Sequence, residues 1–255
     1  MGFLHDGHLS LVKKSKELCN VTIVSIFINP AQFAPSEDLE KYPRDIDRDN
    51  KLLVDEGVDF IFIPAADQIY TKNFQTYVNV EKVTKNLEGQ FRPTHFRGVT
   101  TIVNILFNCV KPDYTFFGQK DAQQTAVIKR MVADLKLRIN LIICPIVREP
   151  DGLAMSSRNI YLSTNERKDA LVLNQSIQLA KKLIQDGKRK SATIITEMLS
   201  IINSVSSTTL DYIRIVEAHS FEIVDELEQG NEYCILVACN IGLTRLIDNE
   251  LIKIK

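Results

Sequence analysis

The 255-residue chain has no surplus of either charge: 31 lysines and arginines face 32 aspartates and glutamates, for a formal net charge of −1. A nucleic-acid or membrane-surface partner calls for a basic face, and the composition makes no case for either. Long hydrophobic runs are missing too. Residues 21–28 (VTIVSIFI) form an apolar run of strand length, too short to cross a bilayer. Cysteine is sparse, five residues scattered along the chain, a usage that fits reduced thiols in the cytoplasm and not a secreted disulfide framework. The first residues show no cleavable leader pattern, so no signal peptide is expected. No glycine is followed by Lys-Ser or Lys-Thr, which excludes a Walker phosphate loop. Internal repeats and low-complexity tracts are absent as well.

What is present is an ordinary globular composition, 45% hydrophobic and 25% charged, arranged in an alternating pattern. Up to about residue 150 strands and helices follow one another. Strands are expected at 21–28, 59–63, 76–80 (weaker), 113–117 and 139–144, with helices from 9, at 45–56, 99–109 and 121–135. The run at 21–28 reads as a strand buried on both faces. This alternation predicts an α/β fold with a parallel sheet. After Asn159 the pattern changes to helices at 165–186 and 192–205, then strands near 210–216, 233–239 and 244–247. Ser163 and Glu166 are spaced as a capping box. The expected division is a first domain, residues 1–159, and a smaller C-terminal α+β domain, residues 160–255, closing over the site.

Five polar segments stand out. In Met1-Gly2-Phe3-Leu4-His5-Asp6-Gly7-His8, two imidazoles lie three residues apart at the start of a helix. Both would project from its positive end, where backbone N–H groups lack partners, which is a phosphate-binding arrangement. Gly2 and Gly7 would let the backbone turn tightly and approach a ligand. Ordinary loop histidines are the alternative. A zinc site is disfavoured because no Cys or carboxylate follows at ligand spacing, and no protein-held metal is expected. Gln32 follows the apolar strand and suits a ligand bearing hydroxyl and carboxylate groups, or else caps its own loop. The stretch 89–98, with Arg92, His95 and two glycines, reads as a functional loop. In the fourth segment Gly118 and Gln119 end a strand, Lys120 and Asp121 begin the next helix and Gln124 lies one turn in. Lys120 is a phosphate candidate and Asp121 a partner for ribose hydroxyls, with a surface ion pair between them as the alternative. In the fifth, Ser156, Ser157 and Arg158 could clamp a pyrophosphate, although the tripeptide is weak evidence by itself.

Together the segments MGFLHDGH (1–8), FINPAQF (27–33), EDLEKYPR (37–44), RPTHFRGV (92–99), FFGQKDAQQ (116–124), VREPDGLAMSSRNIYL (147–162) and TRLIDN (244–249) resemble the pantoate–β-alanine ligase family, in its order and spacing. That family lies within the adenylate-forming nucleotidyltransferases that share the HxGH signature. The resemblance implies a Rossmann-like doubly wound parallel sheet and an ATP-dependent ligase joining pantoate to β-alanine. It further implies that residues 1–8, Gly118 to Asp121, Val147 (a backbone contact to adenine) and Met155 to Arg158 bind ATP. His8 is implied as proton donor, with His5, Lys120 and Arg158 as the other catalytic groups. Gln32 and Gln124 are implied to bind pantoate, Gln32 also near β-alanine. Mg²⁺ is expected with ATP, held by phosphates and water, with no tightly bound prosthetic group. A cytoplasmic homodimer is the family expectation. The family pattern includes a first central strand ending Pro-Thr-Met-Gly, of which only Met1-Gly2 stands here. The expectation is that this strand is missing, leaving a gap in the sheet, and that the natural protein begins upstream. A catalytically crippled chain that only binds ligands and dimerises is the alternative to a working ligase.

Overall fold

The computed structural model describes residues 2–34 and 37–255; Met1, expected in the ATP-binding stretch, lies outside them. Two compact units divide the chain, one of residues 1–119 and 123–145, the other of residues 120–122 and 146–255. The expected change of character at 159/160 therefore has its counterpart at 145/146. Residues 146–159 cluster with the second unit, where Arg148 grips Asp248 through two hydrogen bonds of 2.7 and 3.0 Å.

The first unit alternates helices and strands: α1 (Asp6–Leu18), β1 (Ile23–Ser25), α2 (Ile46–Asp55), β2 (Phe60–Phe62), α3 (His95–Val110), β3 (Tyr114–Gly118), α4 (Ala122–Asp134) and β4 (Asn140–Cys144). The strands form two parallel pairs, β1 with β2 and β3 with β4. Among the described residues no strand pairs with both β1 and β3. Apolar clusters among the described residues hold the unit. Leu9 and Val12 of α1 meet Leu4, Ile26 and Leu53, while Phe96, Val99, Ile102, Val103 and Phe107 of α3 meet Val127, Ile128 and Met131 of α4. The α3 residues recur at helical spacing, so one face carries the contact, and each fully buried side chain contributes about 1.5–3 kcal/mol.

Three expectations need correcting here. The strand expected over 21–28 is laddered only at Ile23–Ser25, and it is not buried on both faces, since Val21 is 54% and Ile23 41% exposed. Its ladder partner in the described residues lies on one side only, which leaves apolar surface uncovered. The strand expected at 76–80 does not form. Threonines of α3 take over the ladder's role: Thr101 Oγ1 accepts from the Val78 N–H (3.1 Å) and Thr100 Oγ1 donates to the Val78 carbonyl (2.7 Å). The stretch 89–98 is largely helical, with a turn at Glu88–Phe91 and α3 starting at His95.

The second unit packs α5 (Leu171–Gln185) and α6 (Ser191–Ile202) on an antiparallel sheet of β5 (Thr208–Glu217), β6 (Glu232–Ile241) and β7 (Thr244–Lys253), with β6 in the middle. Leu173, Ile177, Ile194 and Met198 of the helices meet Ile213, Ile215, Ile235 and Val237 of the sheet. The helix expected over 165–186 is interrupted at Ala170, with a separate turn at Thr164–Asp169 before α5. The capping box is formed: the Glu166 N–H donates to Ser163 Oγ (3.3 Å) and Glu166 Oε2 accepts from the Ser163 N–H (2.8 Å).

Candidate active site

The imidazole pair sits at the first turn of α1. His5 is the N-cap, its backbone extended, and its Nδ1 accepts from the Gly7 N–H (3.2 Å); His8 Nδ1 accepts in return from the His5 N–H (3.3 Å). This is a capping box built from two histidines, with ring centroids 4.0 Å apart. A nitrogen that accepts from a backbone N–H carries no proton, so the neutral rings hold theirs on Nε2. Nε2–H is the donor a phosphate oxygen can use. The tight turn expected at Gly2 falls on Phe3, whose φ is +54°. A Cβ on Gly2 would meet Ile26 at 3.5 Å, an ordinary contact, so that glycine is not required by packing within the protein. The turn is held instead by Asp49, a carboxylate only 1% exposed. Its two oxygens accept from the Phe3 and Leu4 N–H groups at 2.6 and 2.7 Å, and Arg48 lies over the Phe3 ring.

Gln32 ends a short 3₁₀ turn, Pro30–Gln32, capped by Asn29. Asn29 is 1% exposed. Its Oδ1 accepts from the Ala31 N–H (3.2 Å) and the Tyr70 hydroxyl (2.8 Å), and its Nδ2 donates to the Gly98 carbonyl (3.0 Å). At Gly98 the α3 backbone touches the turn, and a Cβ there would stand 2.2 Å from the Ala31 carbonyl oxygen. The Gln32 carbonyl accepts from His95 Nδ1 (3.0 Å) and from Arg92 (3.4 Å). Arg92 also donates to His95 Nε2 (3.3 Å) and grips Glu37 through two bonds of 2.9 and 2.7 Å. Burial and the Arg92 charge hold the His95 pKa down at about 4, so the ring is neutral near pH 7, with its proton on Nδ1.

Of two adjacent glutamines in α4, Gln123 is a structural staple, its amide bonded to Val83, Asn86 and Glu88 at 2.8–2.9 Å. Gln124, half-buried, is the one the sequence singled out. Gly118 closes β3, and a Cβ on it would meet nothing within 4 Å. Gln119, Lys120 and Asp121 form a 3₁₀ turn into α4. Lys120 Nζ is 4.0 Å from Asp121 Oδ1 and its side chain is 23% exposed, a loose pair and not a locked one. The Lys120 carbonyl accepts from Nδ2 of Asn249 on β7 (2.9 Å).

A hairpin explains why Val147 and Met155–Arg158 belong together. The Met155 N–H donates to the Val147 carbonyl (3.0 Å), the Glu149 N–H to Leu153 (2.8 Å), and Gly152 closes the turn on Glu149 (2.9 Å) with φ of +97°. Pro150 is well placed as the second residue of such a turn. Ser156 then caps a 3₁₀ turn, Ser157–Tyr161, its Oγ accepting from the Arg158 N–H (3.2 Å). Consecutive N–H groups at such a turn suit an anion.

Sequence reasoning missed Asp49, Asn29 and the link from His95 to Gln32. An Asn directly before Pro is a legible cap signal. Asp49 and His95 act across 45 to 63 residues of sequence, and no local pattern marks them.

A family model described as pantoate-β-alanine ligase matches residues 1–251. Pantothenate synthetase of Pseudothermotoga lettingae is 49% identical over 99% of this chain and 89% of its own length. That of Caldicellulosiruptor bescii is 50% identical over 100% and 90%. The crystal structure of pantothenate synthetase from Thermus thermophilus superposes with a TM-score of 0.94 at 39% identity, over 98% of this chain and 90% of that one. A Francisella tularensis pantoate-β-alanine ligase, complexed with β,γ-ATP and β-alanine, gives 0.79 at 34% identity over 98% and 87%. By sequence and by fold, this chain belongs to the pantoate–β-alanine ligase family.

Proposed function

We propose that the chain condenses pantoate with β-alanine, using ATP, by way of a pantoyl adenylate. The observation that carries this reading is the family match over residues 1–251, with relatives near half identity along the whole chain. It favours catalysis over the binding-only alternative. In the first half-reaction a pantoate carboxylate oxygen attacks the α-phosphorus, the bond to the bridging oxygen breaks and pyrophosphate leaves. In the second, the β-alanine amine attacks the acyl carbon, loses a proton, and AMP departs with the acyl C–O electron pair.

Negative charge develops on phosphate oxygens in the first step, so cations and N–H donors act by electrostatic stabilisation. In this reading His5 and His8 offer Nε2–H hydrogen bonds to phosphate oxygens, His8 toward those of the departing pyrophosphate. Lys120 and Arg158 supply fixed positive charge. Residues 2–8 with Met1, Gly118 to Asp121, Val147 and Met155 to Arg158 are the ATP-binding segments in this reading. Gln32 and Gln124 bind pantoate. Mg²⁺ bound with ATP would supply further positive charge beside the phosphate oxygens. Phosphate oxygens and water suit it as ligands, and no group of three or more His, Cys, Asp or Glu side chains among the described residues could hold an ion.

The two parallel pairs are read as parts of one Rossmann-like doubly wound architecture. The support is α1, which packs against β3 and β4 and shares an apolar cluster with Val24 of β1 and Ile61 of β2. Homodimerisation and a cytoplasmic location accompany the family reading. Among the described residues no helix is long and apolar enough to cross a membrane.

The test is pantoate-dependent exchange of labelled pyrophosphate into ATP without β-alanine. Exchange is expected, with loss in His8→Ala and Lys120→Ala by a factor of about 10²–10⁴. A folded chain that exchanges nothing would overturn the ligase reading, and near-normal exchange in either variant would overturn that residue's role.

A further inference from the structure

We propose that His95 and Arg92 are positioning residues for Gln32, holding its main-chain carbonyl so that its side-chain amide meets the hydroxy acid in one orientation. The proposal rests on the reading of Gln32 as a pantoate ligand and extends it to two segments that reading left without a task, 37–44 and 89–98.

The geometry is a closed circuit. His95 Nδ1–H donates to the Gln32 carbonyl at 3.0 Å, and Arg92 reaches the same oxygen at 3.4 Å. Arg92 donates at 3.3 Å to the other ring nitrogen, which fixes the His95 tautomer that can donate to Gln32. Glu37 in turn holds the guanidinium by two parallel bonds, the geometry that fixes its plane as well as its place. The Arg92 and Glu37 side chains are only 16% and 20% exposed, so this pair is screened less than a surface pair would be. Gly98, one helical turn after His95, lets the α3 backbone reach the Ala31 carbonyl, which brings the ring within range. Neutral His95 is essential to the circuit: a doubly protonated ring would set a donor against Arg92. Burial and Arg92 keep it neutral against the opposing pull of Glu37 and Glu88.

A hydrogen bond that only orients a ligand group acts on affinity for that ligand. The full chain would be titrated with pantoate, and separately with ATP, in a calorimeter. His95→Phe keeps a flat ring without a donor, His95→Gln keeps an N–H, and Arg92→Lys keeps the charge opposite Glu37 but not the fork. Pantoate should bind about five- to tenfold more weakly to His95→Phe and Arg92→Lys, the worth of about one hydrogen bond. ATP binding should stay within about twofold, and His95→Gln should recover much of the loss. In a Gln32→Ala background, His95→Phe should have no further effect on pantoate. Equal weakening of ATP and pantoate, or an undiminished effect in the Gln32→Ala background, would mean a merely structural role and overturn the proposal. Gln32→Ala that weakens pantoate while His95→Phe and Arg92→Lys do not would overturn the proposal alone. Gln32→Ala that leaves pantoate binding unchanged would overturn the underlying reading, and the proposal with it. If His95→Phe fails to fold, Arg92→Lys decides.

Discussion

At His5 and His8 each ring serves the helix start through Nδ1, and this fixes the proton on the opposite nitrogen. Folding and chemistry are therefore confounded in an alanine substitution, which removes cap and donor together. Asparagine separates them. Its Oδ1 can replace Nδ1 as cap, and Asn is among the best N-cap residues, whereas Ala costs about 1 kcal/mol. His5→Asn should therefore keep the urea midpoint of the parent while pyrophosphate exchange drops by about 10²-fold or more; His5→Ala should lose both. His95 yields a different expectation. Its pKa is about 4 in the folded chain against the ordinary 6.5, so between those values the unfolded chain takes up a proton that the folded chain refuses. Stability should fall as pH drops from about 6.5 to about 4, and this contribution should change no further below that. His95→Phe should flatten that part of the curve in urea melts run across pH, and an unchanged slope would show that His95 titrates normally.

Among the elements, α3 does the most for the candidate site because its first turn touches the Asn29–Gln32 stretch with backbone as well as side chains. Gly98→Ala would put a methyl 2.2 Å from the Ala31 carbonyl oxygen. Relief by shifting the helix should cost about 1–3 kcal/mol in urea unfolding and weaken pantoate binding more than ATP binding. The start of α3 was not legible: Gly89, Pro93 and Gly98 mark a loop by composition, yet tertiary contacts make the stretch helical from His95. The strand expected at 76–80 failed for a related reason, since Thr100 and Thr101 answer its backbone groups from a helix face. Periodicity was reliable where local chemistry decides. The capping box at Ser163, the helix that follows the histidines, and strands β3 and β4 lie close to where the pattern predicts them. Asp49 was invisible because its helix reads as polar and amphipathic, with carboxylates expected on the solvent side, and only the folded chain shows this one turned onto the Phe3–Leu4 backbone.

On the scale of the whole chain, the family is legible from seven short segments scattered over 249 residues, which join turns, caps and a hairpin to a few core side chains such as Leu4, Phe96, Val99 and Leu246. The core tolerates exchange among apolar residues of similar volume; the segments that bond to specific partners do not. Lys120 is the sharpest case. It lies between β3 and α4 in sequence, but residues 120–122 cluster with residues 146–255, and Asn249 holds the Lys120 carbonyl. Recombination between relatives is therefore constrained in a way the linear order of the chain hides. A chimaera that takes residues 146–255 from another family member has to take residues 120–122 along with them, so that acceptor and donor arrive from the same parent.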